Sequence, residues 1–288
     1  MSFKSLKEIV KKSADTGKEF WEMIADDDVK ERQTTKEESF AKMSAMYEAM
    51  KKADAAYDKN LVSASKMAGG NSELIQKAAK EGKTICGSFI SKVMAKALAT
   101  GESNACMKRI VAAPTAGSCG VLPAVLISME EEFGYDSESM LKALYTAAGI
   151  GQVIAIRASI SGAQGGCQAE IGSASAMAAG AAAYLKGGDA ECIAHAAAMA
   201  LKSLLGLACD PVGGLVEVPC VKRNVIGAVN ALTSADMSLA GIRSVIPPDE
   251  VIDAMDDIGK SMPVALKETG EGGLAVTPTG IKLAKGIL

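Results

Sequence analysis

The chain has 288 residues, 49% hydrophobic and only 4% aromatic, with a formal net charge of −3. That length supports a sizeable buried core, the hydrophobic content excludes general disorder, and the lack of a basic field argues against nucleic acid as a partner. Abundant Ala and Gly with few aromatics favour helices that approach closely through small side chains over a β-sandwich.

The N-terminal stretch has neither an apolar h-region nor a small-residue cleavage site, so export is not expected. The most apolar run, 174–185, is too short and too Ala-rich for a bilayer span, and no membrane role is expected. Seven cysteines without an export signal point to reduced thiols in the cytoplasm, not to a disulfide framework.

In chain order, residues 1–70 read as a helical accessory region. Thr35 and Glu38 have capping-box spacing, and Phe40, Met43, Met46, Tyr47, Met50 and Tyr57 then recur at helical intervals. This Met stripe is read as core packing. Gly69-Gly70-Asn71 breaks the pattern and is taken as the boundary with a catalytic domain over 71–288. Helices are expected at 72–80, 85–99, 121–132, 137–156, 168–185 and 190–205, with more after Val225 and Pro248. Asp136 or Ser137 would cap the fourth of these and Asp189 the sixth. Only short strand candidates occur, near Val111 and Val216. The expected class is all-α, a compact multi-helix domain whose glycine-rich loops form a pocket.

Those loops are Ala113-Pro114-Thr115-Ala116-Gly117-Ser118-Cys119-Gly120, Ser161-Gly162-Ala163-Gln164-Gly165-Gly166-Cys167, and Cys209-Asp210-Pro211-Val212-Gly213-Gly214, which runs on to Val218-Pro219-Cys220. They hold four of the seven cysteines. No C-x-x-C pair signals structural zinc. The only histidine, His195, lies in Ala-rich helical sequence and reads as a packed helix residue, which leaves little room for His-activated thiols. Cys167, Cys209 and Cys220 are then either buried free cysteines or thiolate ligands. Cys167 follows two glycines and opens a helix, whereas Cys209 before Asp-Pro and Cys220 after Pro219 are placed in turns. Three thiolates would hold three corners of a [4Fe–4S] cluster and leave one iron open as a Lewis acid.

The blocks from Lys108 to Gly120, Gly165 to Met177, Cys209 to Asn224 and Gly272 to Gly280 resemble the α chain of the iron–sulfur-dependent bacterial L-serine dehydratases. The resemblance runs in order over nearly the whole chain. It implies conversion of L-serine to pyruvate and ammonia without pyridoxal phosphate, with Cys167, Cys209 and Cys220 as ligands of a [4Fe–4S] cluster and a separate β chain as partner. The substrate carboxylate is placed on the 114–120 loop, through backbone N–H groups around Gly117 and the Thr115 and Ser118 hydroxyls. Turn chemistry is the other reading of those two hydroxyls. Gln168 and Glu170 are read as groups orienting the first ligand, with a buried structural carboxylate the alternative for Glu170. Asn224 is expected to touch the cluster, and Lys222 and Arg223 to be surface or partner contacts.

No convincing general base is visible; in the family a His-containing motif of the β portion is thought to reach the substrate. The last eight residues contain no cysteine, so the self-capping of the free iron known from fused enzymes is not expected. Cys86, Cys106 and Cys192 read as small core residues, and Cys119 lies in the substrate loop. An oligomer is expected. The rival readings are a related cluster-dependent cysteine desulfidase, a non-catalytic metal-binding subunit with a closed four-ligand site, and a helical binding protein with buried thiols and no iron.

Overall fold

In this computed structural model, which describes residues 3–286, helices begin where side-chain caps put them. α1 (Leu6–Thr16) starts on Ser5, whose hydroxyl accepts the Glu8 N–H. α2 (Phe20–Arg32) and α3 (Lys36–Ala55) start with capping boxes, that of α3 pairing Thr35 with Glu38 as the sequence predicts. α4 (Asn71–Lys80), α5 (Gly87–Ala105) and α6 (Val121–Phe133) follow. Asp136 then caps α7 (Ser137–Arg157) through the Ser139 N–H at 2.8 Å. After the short α8 (Gly162–Gly165), a π-helical turn at Gln168–Gly172 runs directly into α9 (Ser173–Leu185). Asp189 caps α10 (Ala190–Lys202) through the Cys192 N–H at 2.7 Å. α11 (Cys220–Leu239), α12 (Pro248–Ser261) and α13 (Pro278–Lys285) complete the helices.

No strand occurs among the described residues, so the fold is all-α; the one isolated bridge pairs Cys209 with Lys267. The strand candidates near Val111 and Val216 fail because no extended neighbour pairs with either. Around Val216 the chain instead closes on itself, Val212 N–H donating to Val218 O at 2.9 Å. α5 runs six residues past its expected end. Its polar stretch Thr100-Gly101-Glu102-Ser103 is buried, and Gly101 packs against the Val221 backbone of α11. Tertiary packing overrides the loop-like composition there.

α9 is the axis of the fold. Nearly every residue from Ser173 to Leu185 is buried, and α6, α7, α10 and α11 pack around it. Its Ala, Gly and Ser side chains allow that close approach, and Ser175 in its middle is tied to the neighbouring helices. Ser175 Oγ donates to Gly227 O at 2.7 Å, and Asn230 Nδ2 on α11 donates to Ser175 Oγ and Ala200 O. α7 is long and apolar enough to cross a membrane by composition, but over half of that stretch is buried inside this core.

α1 to α3 share the same hydrophobic core, through Leu6, Ile9, Phe20, Trp21, Ile24, Tyr47 and Met50. Of the predicted stripe, Met46 is exposed, and Tyr57 lies beyond α3 and donates to Glu102. Two carboxylates tie down the 56–71 connection. Glu102 also accepts from the Asn71 N–H and amide, and Glu217 accepts from Ser63 and Ser65 hydroxyls at 2.6 and 2.5 Å. Glu217 lies in the turn before Cys220, so the N-terminal region is anchored next to a candidate site residue.

Gly227 tests the tight seam. A Cβ there would sit 2.9 Å from the Cγ2 methyls of both Ile171 and Val121, and neither β-branched side chain can swing away within the core. Overpacking of about 1–3 kcal/mol opposes the helix-propensity gain of about 1 kcal/mol for Ala over Gly. Gly227→Ala is therefore expected to lower stability by about 1–2 kcal/mol in urea denaturation, with no change in helix content by circular dichroism.

Candidate functional site

Three segments far apart in sequence bring Cys167, Cys209 and Cys220 together. Cys167 immediately precedes the π-helical turn. Cys209 lies in the isolated bridge, donating its N–H to Leu266 O and accepting the Glu268 N–H, both at 2.8 Å. Cys220 is the first residue of α11, one place after Pro219, and so belongs to a helix start and not to a free turn. All three are free thiols exposed by only 2, 3 and 8%. Burial pushes Cys167 up to about 11 and Cys220 up to about 12. Cys209 is raised too, first by burial and then by the neighbouring Cys167, Glu170, Glu268 and Cys220. As free groups these thiols are protonated and unreactive at neutral pH. Cys209 and Cys220 each feel the charge of Cys167, as close neighbours do.

Glu170 enters the same space from the π-helical turn. A Cβ on Gly162 would lie 2.8 Å from Glu170 Oε2 and 3.0 Å from Cys209 Sγ, so carboxylate and thiol meet over a bare backbone. Gly117 approaches the other side of the carboxylate in the same way, a Cβ there standing 3.0 Å from Oε1. A side chain at either position would displace the Glu170 carboxylate from its place. Oε1 accepts the Thr115 hydroxyl at 2.7 Å. Burial holds the Glu170 carboxyl above the usual carboxylate range, the Thr115 bond opposes this, and Glu268 adds to it. Ser118 is fully buried and its hydroxyl lies 3.1 Å from that of Thr115, which serves the turn.

Asn224 and Gln168 hold the loops in place. The Asn224 amide accepts from Gly120 N–H at 2.8 Å and donates to Gly117 O and Cys220 O at 2.9 Å each, so it staples the 117–120 loop to the start of α11. These backbone bonds place the Asn224 amide between the 117–120 loop and Cys220. Gln168, also fully buried, donates to Met255 O, accepts the Gly206 N–H and gives its own N–H to Leu207 O, fixing the backbone beside Cys167.

Some sequence expectations need correction. Arg223 is not a surface residue: its guanidinium turns inward and pairs with Asp210 at 2.9 Å. Lys222, its neighbour, is exposed as expected. Cys86 is exposed and Cys106 half-buried, so of the three presumed core cysteines only Cys192 is one. Cys119 is fully buried against Thr100 O, and burial pushes it up to about 12. His195 is a half-buried helix residue whose Nδ1 accepts the Ser244 N–H at 3.2 Å. Asp210 and Glu268 went unnoticed in the sequence; the position of Asp210 next to a candidate ligand was the available signal.

The Asn224 staple gives a direct test. Asn224→Asp keeps shape but turns two donors into acceptors facing buried carbonyls. Urea denaturation should show a loss of about 2–4 kcal/mol, the cost of an uncompensated buried charge with unpaired carbonyls.

Residues 15–275 match the protein family described as serine dehydratase alpha chain. Over 285 residues the chain is 47% identical to the probable L-serine dehydratase, alpha chain, of Bacillus subtilis, covering 99% of this chain and 95% of that one. It is 44% identical over 286 residues to the L-serine dehydratase, alpha chain, of Peptoniphilus asaccharolyticus, covering 98% and 97%. L-serine dehydratase 1 of Escherichia coli is 43% identical over 182 residues, which cover 62% of this chain but only 40% of that longer protein. The four sequence blocks, the all-helical fold and these matches lead to one conclusion: the chain belongs to the serine dehydratase α-chain family.

Proposed function

We propose that this chain is the α subunit of a cytoplasmic L-serine dehydratase, an ammonia-lyase that converts L-serine to pyruvate and ammonia with a [4Fe–4S] cluster on Cys167, Cys209 and Cys220, and that it works with a β chain. The observation that carries the reading is the meeting of three buried thiols from three separate segments beside the Glu170–Thr115 pair. Family membership supports the substrate, because relatives alike over nearly their whole length carry L-serine dehydratase in their names.

The donor set suits a cluster. No trio of His, Cys, Asp or Glu side chains among the described residues converges on a point fit for a single ion. A cubane does not require that, because each thiolate takes a different iron. Ligation needs deprotonated sulfur, and the thiols here are held protonated by burial, so cofactor uptake releases protons and tightens with rising pH. When bound, the cluster supplies a Lewis-acidic iron for the leaving hydroxyl of the substrate.

The protein's own groups bind and orient serine. Thr115 occupies Glu170 Oε1 and thereby aims Oε2 toward Gly162 and the thiols. Oε2 accepts a hydrogen bond from the substrate ammonium, and the backbone N–H groups of the 114–120 loop take its carboxylate. With both ends fixed, the β-hydroxyl points to the thiol-lined side, which is the positioning contribution to catalysis. The proton on Cα leaves to a base on the β chain. Loss of that proton and of the hydroxyl gives aminoacrylate, which hydrolyses to pyruvate and ammonia.

Purified without oxygen, the chain should contain iron and acid-labile sulfide, and each of Cys167→Ala, Cys209→Ala and Cys220→Ala should lose both. With the β chain present, pyruvate should form from serine and be abolished in all three variants. Iron-free wild type, or pyruvate from cysteine but not from serine, would overturn the assignment. Glu170→Gln should raise KM for serine about tenfold, the value of one charge-assisted hydrogen bond. Because the Glu170 carboxyl is held above its usual range, the protonated form persists to higher pH. In the wild type kcat/KM should therefore fall as pH drops through that raised value, and this acid limb should vanish in Glu170→Gln.

A further inference from the structure

Arg223 joins two of the three thiol-bearing segments with one side chain, the start of α11 on which it lies and the Cys209 segment that it contacts. It lies one helical turn beyond Cys220 on α11, so the two residues share a helix face. Its Nη1 donates to Ala208 O at 2.7 Å and its Nη2 to Asp210 Oδ1 at 2.9 Å. Ala208 and Asp210 are the residues on either side of Cys209, so the guanidinium clasps that ligand's backbone from both flanks.

The clasp is itself anchored. Asp210 uses its second oxygen, Oδ2, to accept the Leu274 N–H at 2.8 Å, while the Cys209 backbone is pinned to Leu266 and Glu268. The side chains of Arg223 and Asp210 are only 17% and 7% exposed, so solvent screens the pair weakly. Lysine could not replace this arrangement, because a point charge on a flexible stem cannot donate to a carbonyl and a carboxylate in fixed directions at once.

We propose that Arg223, oriented by Asp210, is the positioning residue and counter-charge of the three-thiolate site. It sets the Cys209 segment against the start of α11 and offsets the negative charge that Cys167, Cys209 and Cys220 carry once they are ligands. The inference rests on the cluster reading above. It goes further by assigning cofactor retention to a residue that binds neither iron nor substrate.

A purely structural ion pair makes a different prediction, which a double variant separates. Arg223→Met alone leaves the Asp210 carboxylate buried without its partner and should lower the urea midpoint. Arg223→Met combined with Asp210→Asn removes both charges and should recover the midpoint. In the full chain purified without oxygen, that double variant is expected to release iron to a ferrous chelator at least tenfold faster than the wild type. Release at the wild-type rate, with the midpoint recovered, overturns the proposal and leaves an ordinary ion pair. Should the double variant not fold, Arg223→Gln takes its place, with the same tenfold acceleration expected and an unchanged rate overturning the proposal. A wild-type chain that holds no iron or sulfide defeats the cofactor reading, and this inference with it; iron in the wild type with unchanged release in the variants defeats the inference alone.

Discussion

The site depends on one close approach, that of two bare glycine backbones to the Glu170 carboxylate. Gly117 and Gly162 come from different loops, and each lies where a Cβ would meet a carboxylate oxygen. Their missing side chains let the 113–120 loop, the α8 turn and the π-helical turn converge to the width of a single carboxyl group. A larger residue at either position would crowd the carboxylate and disturb its bond from Thr115. The π-helical turn contributes by adding a residue to the helical register just before α9, in keeping with the tendency of such turns to occur at functional sites.

The electrostatics around the three thiols disfavour negative charge. Burial raises each of them, neighbouring acids raise Cys209 further, and the Glu170 carboxyl is raised as well. Such surroundings favour the protonated forms of these groups. Arg223 is the counterweight on the protein side, held by a carboxylate that also reaches the C-terminal segment through Leu274. The Arg223–Asp210 ion pair and the segment at Leu274 are therefore coupled to the Cys209 backbone through Asp210.

The scaffold around the pocket is built for rigidity by small residues. α9 sits at the centre almost fully buried, and its Ser175 hydroxyl is taken up by the Gly227 carbonyl and the Asn230 amide of α11. α11 then carries three elements of the site along its first turns: Cys220, Arg223 and Asn224. A displacement of α11 against α9 would move all three together. The Asn224 staple to the 117–120 loop ties that helix start to the proposed substrate loop.

Much of this was legible in the sequence, because its signals are local. The Thr35–Glu38 capping box, the Asp136 and Asp189 caps and the helical period of 121–132 and 137–156 each depend on residues a few positions apart, and each appears where expected. The three candidate ligands stood out because glycine-rich loops around cysteines are uncommon in helical sequence. The buried course of 100–105, the inward turn of Arg223 and the exposure of Cys86 were not legible, since each is decided by which surface the residue meets. By itself the sequence determined the helical class, the glycine-rich loops that hold the candidate ligands and the residue types available to them. Only the tertiary structure decided that Asn224 staples the backbone, that Asp210 directs Arg223 across the Cys209 segment, and that Glu170 faces the thiols, because those contacts join residues 13 to 107 positions apart, and their partners are chosen by packing.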